Sequence, residues 1–335
     1  MSSLASIARA TGLAVTTVSE ILRNKPGYSE TTKQKVMEAA RKLSYRPNSA
    51  ARQLRGGRSG LMAALIGQNN PQANFDRLAA LERVAYSRGY RMMIGQIHNS
   101  DGRLDEYLRD FAARGVDGIF WLHQPFAPRG EDQQPGVSRL GNIVSLDHPV
   151  ASDAGCVRID YAAGIEQAIA YLARSGHKRI GLAIAAAGAK GDPLQARQLG
   201  YKRGLLAQQI EFQKDRIWIG DGAETPNAAH LQSLFDQLVQ RQKCDAILAS
   251  NDVWAAELLR VLRRAKLRVP QDVAVVGFDN LMFAALCDPA LTTIDQQHDA
   301  FATAAVNLME QTMTGKEAQH REVVIQPKVV VRESA

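Results

Sequence analysis

Apolar residues recur along this chain with two different periods, and the change of period divides it. Over the first 45 residues they fall in three groups: Leu4, Ile7 and Ala8; Val18, Ile21 and Leu22; Val36, Ala39, Ala40 and Leu43. Spacings of three and four put each group on one face of a helix. Between the first two groups, Ala8 is small enough for helices to cross at it and Gly12 is free to take a left-handed turn. Val18 places a β-branched side chain under the second helix, which completes the spacing of a helix-turn-helix.

From residue 61 the pattern becomes one of short apolar runs: LMAALIG, YRMMIGQI, VDGIFWL, CVRID, RIGLAIA, RIWIG, CDAILAS and DVAVVGF, with helix-length segments between them. Runs of this kind predict parallel strands buried on both faces in βαβ units. The alternation occurs twice, over about 61–160 and 161–290, and strand-like text returns in TTIDQQ and EVVIQPKVVV. Two α/β lobes with a cleft between them are expected, and ligands of such sheets bind beyond the carboxyl ends of the strands.

Charge sharpens the division. Residues 1–60 hold eleven lysines and arginines against three glutamates, a net +8, so the rest of the chain carries −1 of the total +7. A basic excess confined to one small, periodically apolar segment points to a polyanion-binding module on a near-neutral body. At 335 residues, 45% hydrophobic and 22% charged, the chain is long enough for more than one core and has an ordinary globular composition. Its longest apolar run, IGLAIAAAGA, falls short of the roughly 20 residues of a membrane span, and MSSLASIARATG lacks the basic head and apolar stretch of a signal peptide. Cys156, Cys244 and Cys287 are odd in number and dispersed, as expected of a reduced cytoplasm and not of a zinc site or disulfide framework.

Enzyme signatures are missing. There is no GxGxxG after a strand, no GxxxxGK[ST], no GxSxG and no HExxH; the glycine-rich AAAGAKGD reads as a turn, and none of the seven histidines, His177 of GHKR included, pairs in sequence with a nucleophile. No catalytic residue, metal or cofactor is expected.

The motifs IARATG (7–12), TTVSEIL (16–22), YSETTKQKV (28–36), YRPNSAARQLRGG (45–57), GHKRIGL (176–182), ARQLGY (196–201), ILASND (247–252) and VPQDVAVVGFDN (269–280) resemble those of the lactose-repressor/galactose-repressor (LacI/GalR) family of bacterial transcriptional regulators over nearly the whole chain. The resemblance implies an N-terminal all-α helix-turn-helix headpiece and an α/β periplasmic-binding-protein-like body of two doubly wound parallel-sheet lobes. It divides the chain into a DNA-binding domain (1–46), a hinge helix and linker (47–60) and an effector-binding and dimerisation domain (61–335). The implied function is sequence-specific, ligand-responsive repression of a carbohydrate-related operon, by a homodimer on a pseudo-palindromic operator. The tail after VVVRES has no leucine heptads for a tetramer. A solute-binding receptor that serves a transporter is the rival reading, opposed by the basic headpiece and the missing signal peptide.

The resemblance places TTVSEIL in the DNA major groove. Small residues at its amino end let the backbone approach base edges, where Val15 can touch a thymine methyl and Thr16 can donate or accept, with Ser19 and Glu20 further along. Glu20 stands where the family commonly has arginine. A carboxylate cannot use guanine's acceptors but accepts from the cytosine amino group; the alternative is a Glu20 turned to solvent or paired with Arg23 or Arg9. Ala14 replaces the family's usual serine cap, a loss on the order of 1 kcal/mol. Arg23, Ser29, Thr32 and Lys33 fall where family members hold phosphates, which gives affinity and register but no sequence information.

RPNSAARQLRGG makes a helix too short and basic to be stable alone. By resemblance it is a hinge ordered when two subunits meet on DNA, with paired Leu54 side chains wedged into a minor-groove step lined by Asn48, Ala51 and Arg55. An ordinary linker ending at Gly56-Gly57 is the alternative.

For the effector, the resemblance points to Arg197, Asn251 and Asp279, whose guanidinium, amide and carboxylate suit vicinal hydroxyls. A structural ion pair is the alternative for Arg197; Asp252 reads as the cap of the helix it begins, and Asp160 as another cap. Where the family often has adjacent aromatics, QNNPQANFDRL offers only Phe75. Trp121 and His123, at the end of GIFWL, are further candidates, with core or loop positions as alternatives. The implied effector is a sugar, sugar acid or related metabolite; nucleobases and phosphorylated sugars are also used within the family.

Overall fold

The computed structural model describes residues 3–22, 26–45, 58–67, 71–97, 103–122, 142–147, 149–150, 154–185, 192–220, 225–314 and 322–335. The chain divides into two compact units, 1–59 and 60–335.

The first unit contains α1 (Leu4–Thr11), α2 (Val15–Leu22) and α3 (Glu30–Lys42). Ser3 caps α1 by accepting the Ser6 N–H at 3.2 Å, and Gly12 ends it at φ 71°, the left-handed turn that glycine takes without strain. Ile7, Ala8, Val18, Ile21 and Val36 form the buried core, as the periodicity predicts. Each Ile or Val so buried contributes roughly 1.5–3 kcal/mol, the main stabilisation open to so small a unit. Leu43 departs from the predicted stripe: it is the C-cap of α3, past its last helical residue, and is 36% exposed.

The second unit holds two six-stranded sheets. Sheet 1 runs in the order β11-β5-β4-β3-β1-β2, from β1 (Leu61–Ile66), β2 (Arg91–Gln96), β3 (Gly118–Leu122), β4 (Ile143–Leu146), β5 (Gly155–Ile159) and β11 (Glu322–Ile325), and is parallel throughout. Sheet 2 runs β12-β10-β9-β8-β6-β7, from β6 (Ile180–Ile184), β7 (Ile217–Ile219), β8 (Ala246–Leu248), β9 (Ala274–Phe278), β10 (Thr292–Asp295) and β12 (Lys328–Val330). Only β12 is antiparallel in it, with Thr293 opposite Val330. The helices are α4 (Pro71–Ser87), α5 (Arg103–Ala113), α6 (Tyr161–Arg174), α7 (Asp192–Ala207), α8 (Ala228–Leu234), α9 (Asp252–Arg264) and α10 (His298–Met313). Nearly every residue of β1, β3, β6 and β9 is buried, as helices on both faces require.

Two features differ from the pattern reading. IVSL at 143–146 is a strand, and the lobes interleave instead of following one another. After β10 the chain returns to lobe 1, where Phe301, Leu308 and Met309 of α10 pack against sheet 1, and it then gives one terminal strand to each sheet. The lobes are therefore joined by three short crossings, at Asp160, at Gln296–Gln297 and at Gln326–Pro327. Among the described residues no helix is long and apolar enough to cross a membrane.

Candidate DNA-reading and effector sites

On α2, Val18 and Ile21 face the core, Val15 is 42% exposed, Thr16 is exposed, and Ser19 and Glu20 are half-buried. The Ala14 carbonyl accepts the Val18 N–H at 3.0 Å, and its methyl can cap nothing. Glu20 has a partner that neither sequence alternative named: it accepts a hydrogen bond from the Tyr28 hydroxyl. That bond first, then burial and the Glu20 charge, raise the Tyr28 pKa. Ser29 is the N-cap of α3 and accepts the Thr32 N–H at 3.3 Å, with the two hydroxyls 2.8 Å apart. Lys33 pairs with Glu30 at 2.6 Å. Arg23, Asn48, Ala51, Leu54, Arg55 and His123 lie outside the described residues.

In the body, a polar path runs between the lobes beside the crossings. Arg77 of α4 is buried, pairs through Nη1 with Asp147, and donates through Nη2 to Tyr161 Oη at 3.0 Å and to the Gln296 side-chain carbonyl. Its guanidinium lies 5.2 Å from the Phe301 ring centre. The Gln296 amide in turn donates to Asp279, so that Asp147, Arg77, Gln296 and Asp279 form a continuous chain from sheet 1 to sheet 2. Burial opposes the Arg77 charge, but Asp147 and Tyr161 outweigh it and hold the pKa above its ordinary value. Burial, then Asp147, pushes the Tyr161 hydroxyl up to about 12.

Arg197 lies 4.9 Å from the Tyr161 ring centre and 4.8 Å from that of Phe278, rings which themselves stack at 5.6 Å. It makes no ion pair among the described residues, and its Nε is buried without a hydrogen-bond partner. His298, at the start of α10, has both ring nitrogens buried and without a hydrogen-bond partner among the described residues; burial, then the neighbouring Arg77 charge, pushes its pKa down to about 4. It is a neutral imidazole at physiological pH. A cavity of about 480 Å³ opens at the first crossing, walled by Asp147, Ile159, Asp160, Tyr161, Arg158 and Arg203.

Several expectations change here. The cap expected of Asp252 belongs to Asn251, whose extended backbone lets Oδ1 accept the Trp254 N–H at 3.0 Å. Asp252 is instead fully buried within lobe 2, where it accepts from the Thr293 hydroxyl at 2.5 Å and the Leu281 N–H at 2.7 Å. Asp160, by contrast, is the cap that the sequence leads one to expect: it caps α6, accepting the Ala163 N–H at 3.0 Å. Trp121 is a core residue and Phe75 is 55% exposed on α4. Arg77, Asp147, Tyr161, Gln296 and His298 escaped the sequence reading. Arg77 carried one usable signal: it shares the apolar stripe of Leu78, Leu81 and Ala85, where a cation needs a buried partner.

Comparison with known proteins bears directly on this arrangement. Residues 3–48 match the profile described as bacterial regulatory proteins, lacI family, and residues 169–335 that of a periplasmic binding protein-like domain. The chain belongs to the lacI family of bacterial regulatory proteins. This lacI-family chain is 27% identical over 333 residues to the HTH-type transcriptional repressor PurR of Vibrio campbellii (strain ATCC BAA-1116), covering 99% of its own length and 98% of the relative's. With PurR of Histophilus somni (strain 2336) it shares 24% over 334 residues, at 100% and 99% coverage. Its fold is that of the Lac repressor dimer bound to operator and the anti-inducer ONPF (TM-score 0.76, 21% identity, 99% and 98% covered). The CelR–cellobiose complex has the same fold (TM-score 0.68, 24% identity, both chains fully covered). The lacI-family chain is thus a DNA-binding transcriptional regulator with a periplasmic-binding-protein-like body. Its relatives are regulators and not enzymes.

Proposed function

We propose that this regulator is a cytoplasmic, non-enzymatic repressor that binds a pseudo-palindromic operator as a homodimer. A sugar, sugar acid or related small metabolite in the interlobe cleft sets its DNA affinity, and a carbohydrate-related operon is its target. The division into headpiece (1–46), hinge and linker (47–60) and body (61–335) belongs to this reading. Val15, Thr16, Ser19 and Glu20 contact bases; Arg23, Ser29, Thr32 and Lys33 hold phosphates, for which the amino end of α3 is suited by its exposed hydroxyls and N–H groups. Asn48, Ala51, Leu54 and Arg55 serve the hinge and the minor groove. Phe75, His123, Arg197, Asn251 and Asp279 serve the effector, joined by Arg77, Asp147, Tyr161, Gln296 and His298.

The observation that carries the reading is the buried path Asp147–Arg77–Gln296–Asp279, which ties the lobes at their crossings. A ligand that enters there competes for these groups, so it binds open and closed lobe arrangements with different affinities, and such a difference is what allows it to shift a conformational equilibrium. Self-association is supported by large apolar side chains left in water: Ile94 and Ile219, each 52% exposed on the edge strands β2 and β7, and Met282 and Leu286, 86% and 77% exposed after β9. The test is in vitro selection of random duplex DNA by the full-length protein at one stated salt concentration, with and without candidate metabolites. An enriched inverted repeat whose recovery changes with one metabolite is the expected result. Selection of no sequence under either condition overturns the reading.

A further inference from the structure

We propose that Tyr28 is a positioning residue that aims the Glu20 carboxylate at a cytosine amino group in the operator, an inference that rests on the DNA-binding reading above. Glu20 is the single charged residue of α2 and lies one turn beyond Thr16, so the two share a face of the helix. Tyr28 reaches it across the turn between α2 and α3, after Gly27, whose φ of 106° is open to glycine and strained for other residues. The Tyr28 ring packs on the core that includes Ile7, Val18 and Val36, while its hydroxyl donates to Glu20 and lies near Thr17, one turn before Glu20. A flexible acid on a helix surface is thereby tied to a rigid, two-torsion anchor.

The chemistry of the groove decides what such an acid can read. A carboxylate offers about four acceptor positions, and one hydrogen bond from Tyr28 occupies one of them. Guanine presents only acceptors in the major groove, thymine an acceptor and a methyl, and adenine a donor beside an acceptor; cytosine presents a lone amino donor. An ionised Glu20 therefore favours cytosine and is repelled by guanine and by phosphate. The tether keeps the carboxylate at the base edges and leaves the phosphates to Ser29, Thr32 and Lys33.

The experiment measures binding of the full-length wild type, Tyr28→Phe, Glu20→Gln and the double variant to the selected operator and to duplexes carrying each base pair at each half-site position. Tyr28→Phe keeps the ring and removes only the hydroxyl, and thermal unfolding of each variant checks the headpiece. The wild type should prefer cytosine at one half-site position by roughly tenfold or more, within the range of a good base contact. Tyr28→Phe should cut that preference several-fold and leave the other positions unchanged. The double variant should be no less selective there than Glu20→Gln alone, an epistasis that a merely structural tyrosine would not produce. Equal weakening on all sequences, additive losses, or an unchanged cytosine preference in Tyr28→Phe overturns the assignment while the operator reading stands. If the wild type selects no operator, both fall.

Discussion

Arg77 and Asp147 form an ion pair in which each side chain is only 8% exposed. Removing one partner strands the other charge in the interior, which typically costs about 3–5 kcal/mol, whereas replacing both by neutral groups costs far less. Arg77→Met should therefore lower stability in denaturant unfolding by about that amount, and Arg77→Met combined with Asp147→Asn should recover a substantial part. If the double variant is as unstable as the sum of the singles, the pair is not coupled as the geometry requires.

Gly200 carries a second constraint on the same site. A Cβ at this position would lie 2.4 Å from the Ala162 carbonyl oxygen, where α7 crosses α6, and that neighbour is backbone, which cannot swing aside. Gly200→Ala should cost about 1–3 kcal/mol through overpacking, although alanine is the better helix former. Arg197 lies on the same helix, three residues earlier, so the forced separation should also weaken the response of DNA binding to effector. A variant at least as stable as the wild type would refute the close approach.

Much of this architecture is legible in the sequence, and what is not has physical reasons. Periodicity reveals α1 to α3 and most strands because each buries one stripe or both faces of its own local segment. It misses β4, four residues interrupted by Ser145, and it cannot show that β11 and β12 enter different sheets, because strand pairing is non-local. Asn251 and Asp252 are adjacent capping residues with equal claims in sequence; only the extended backbone of Asn251 (φ −158°, ψ 177°) decides between them. Tyr28 and Glu20 sit eight residues apart across a turn, beyond the reach of any helical spacing rule.

Asp252 links stability to pH. Burial, with Asp279 adding to it, raises its pKa to about 7, against about 3.9 for an aspartate in an unfolded chain. The folded state thus holds a proton that the unfolded state has lost, and the stabilisation this confers is complete below about pH 4 and disappears as pH rises through about 7. Asp252→Asn can keep both contacts, with Oδ1 accepting the Leu281 N–H and Nδ2 donating to Thr293 Oγ1. Denaturant unfolding of this variant between pH 4 and 8 should show a flatter decline than the wild type. Parallel curves would mean that Asp252 is ionised throughout that range.

Phosphate contacts can be separated from base contacts by salt. Lys33 is paired with Glu30 on an exposed helix end, and such surface pairs contribute only about 0–1 kcal/mol, so exchanging Glu30 for a DNA phosphate costs little. Each phosphate so neutralised contributes about −0.9 to the slope of log affinity against log salt. Lys33→Gln should weaken binding to all duplexes by a similar factor and make the slope shallower by about 1, with base preferences intact. Glu20→Gln should do the opposite: its slope should stay close to the wild-type value while its preference at one base pair changes. A Lys33→Gln variant with an unchanged salt slope would remove Lys33 from the phosphate contacts, and would leave the remaining basic residues of the headpiece to account for the slope.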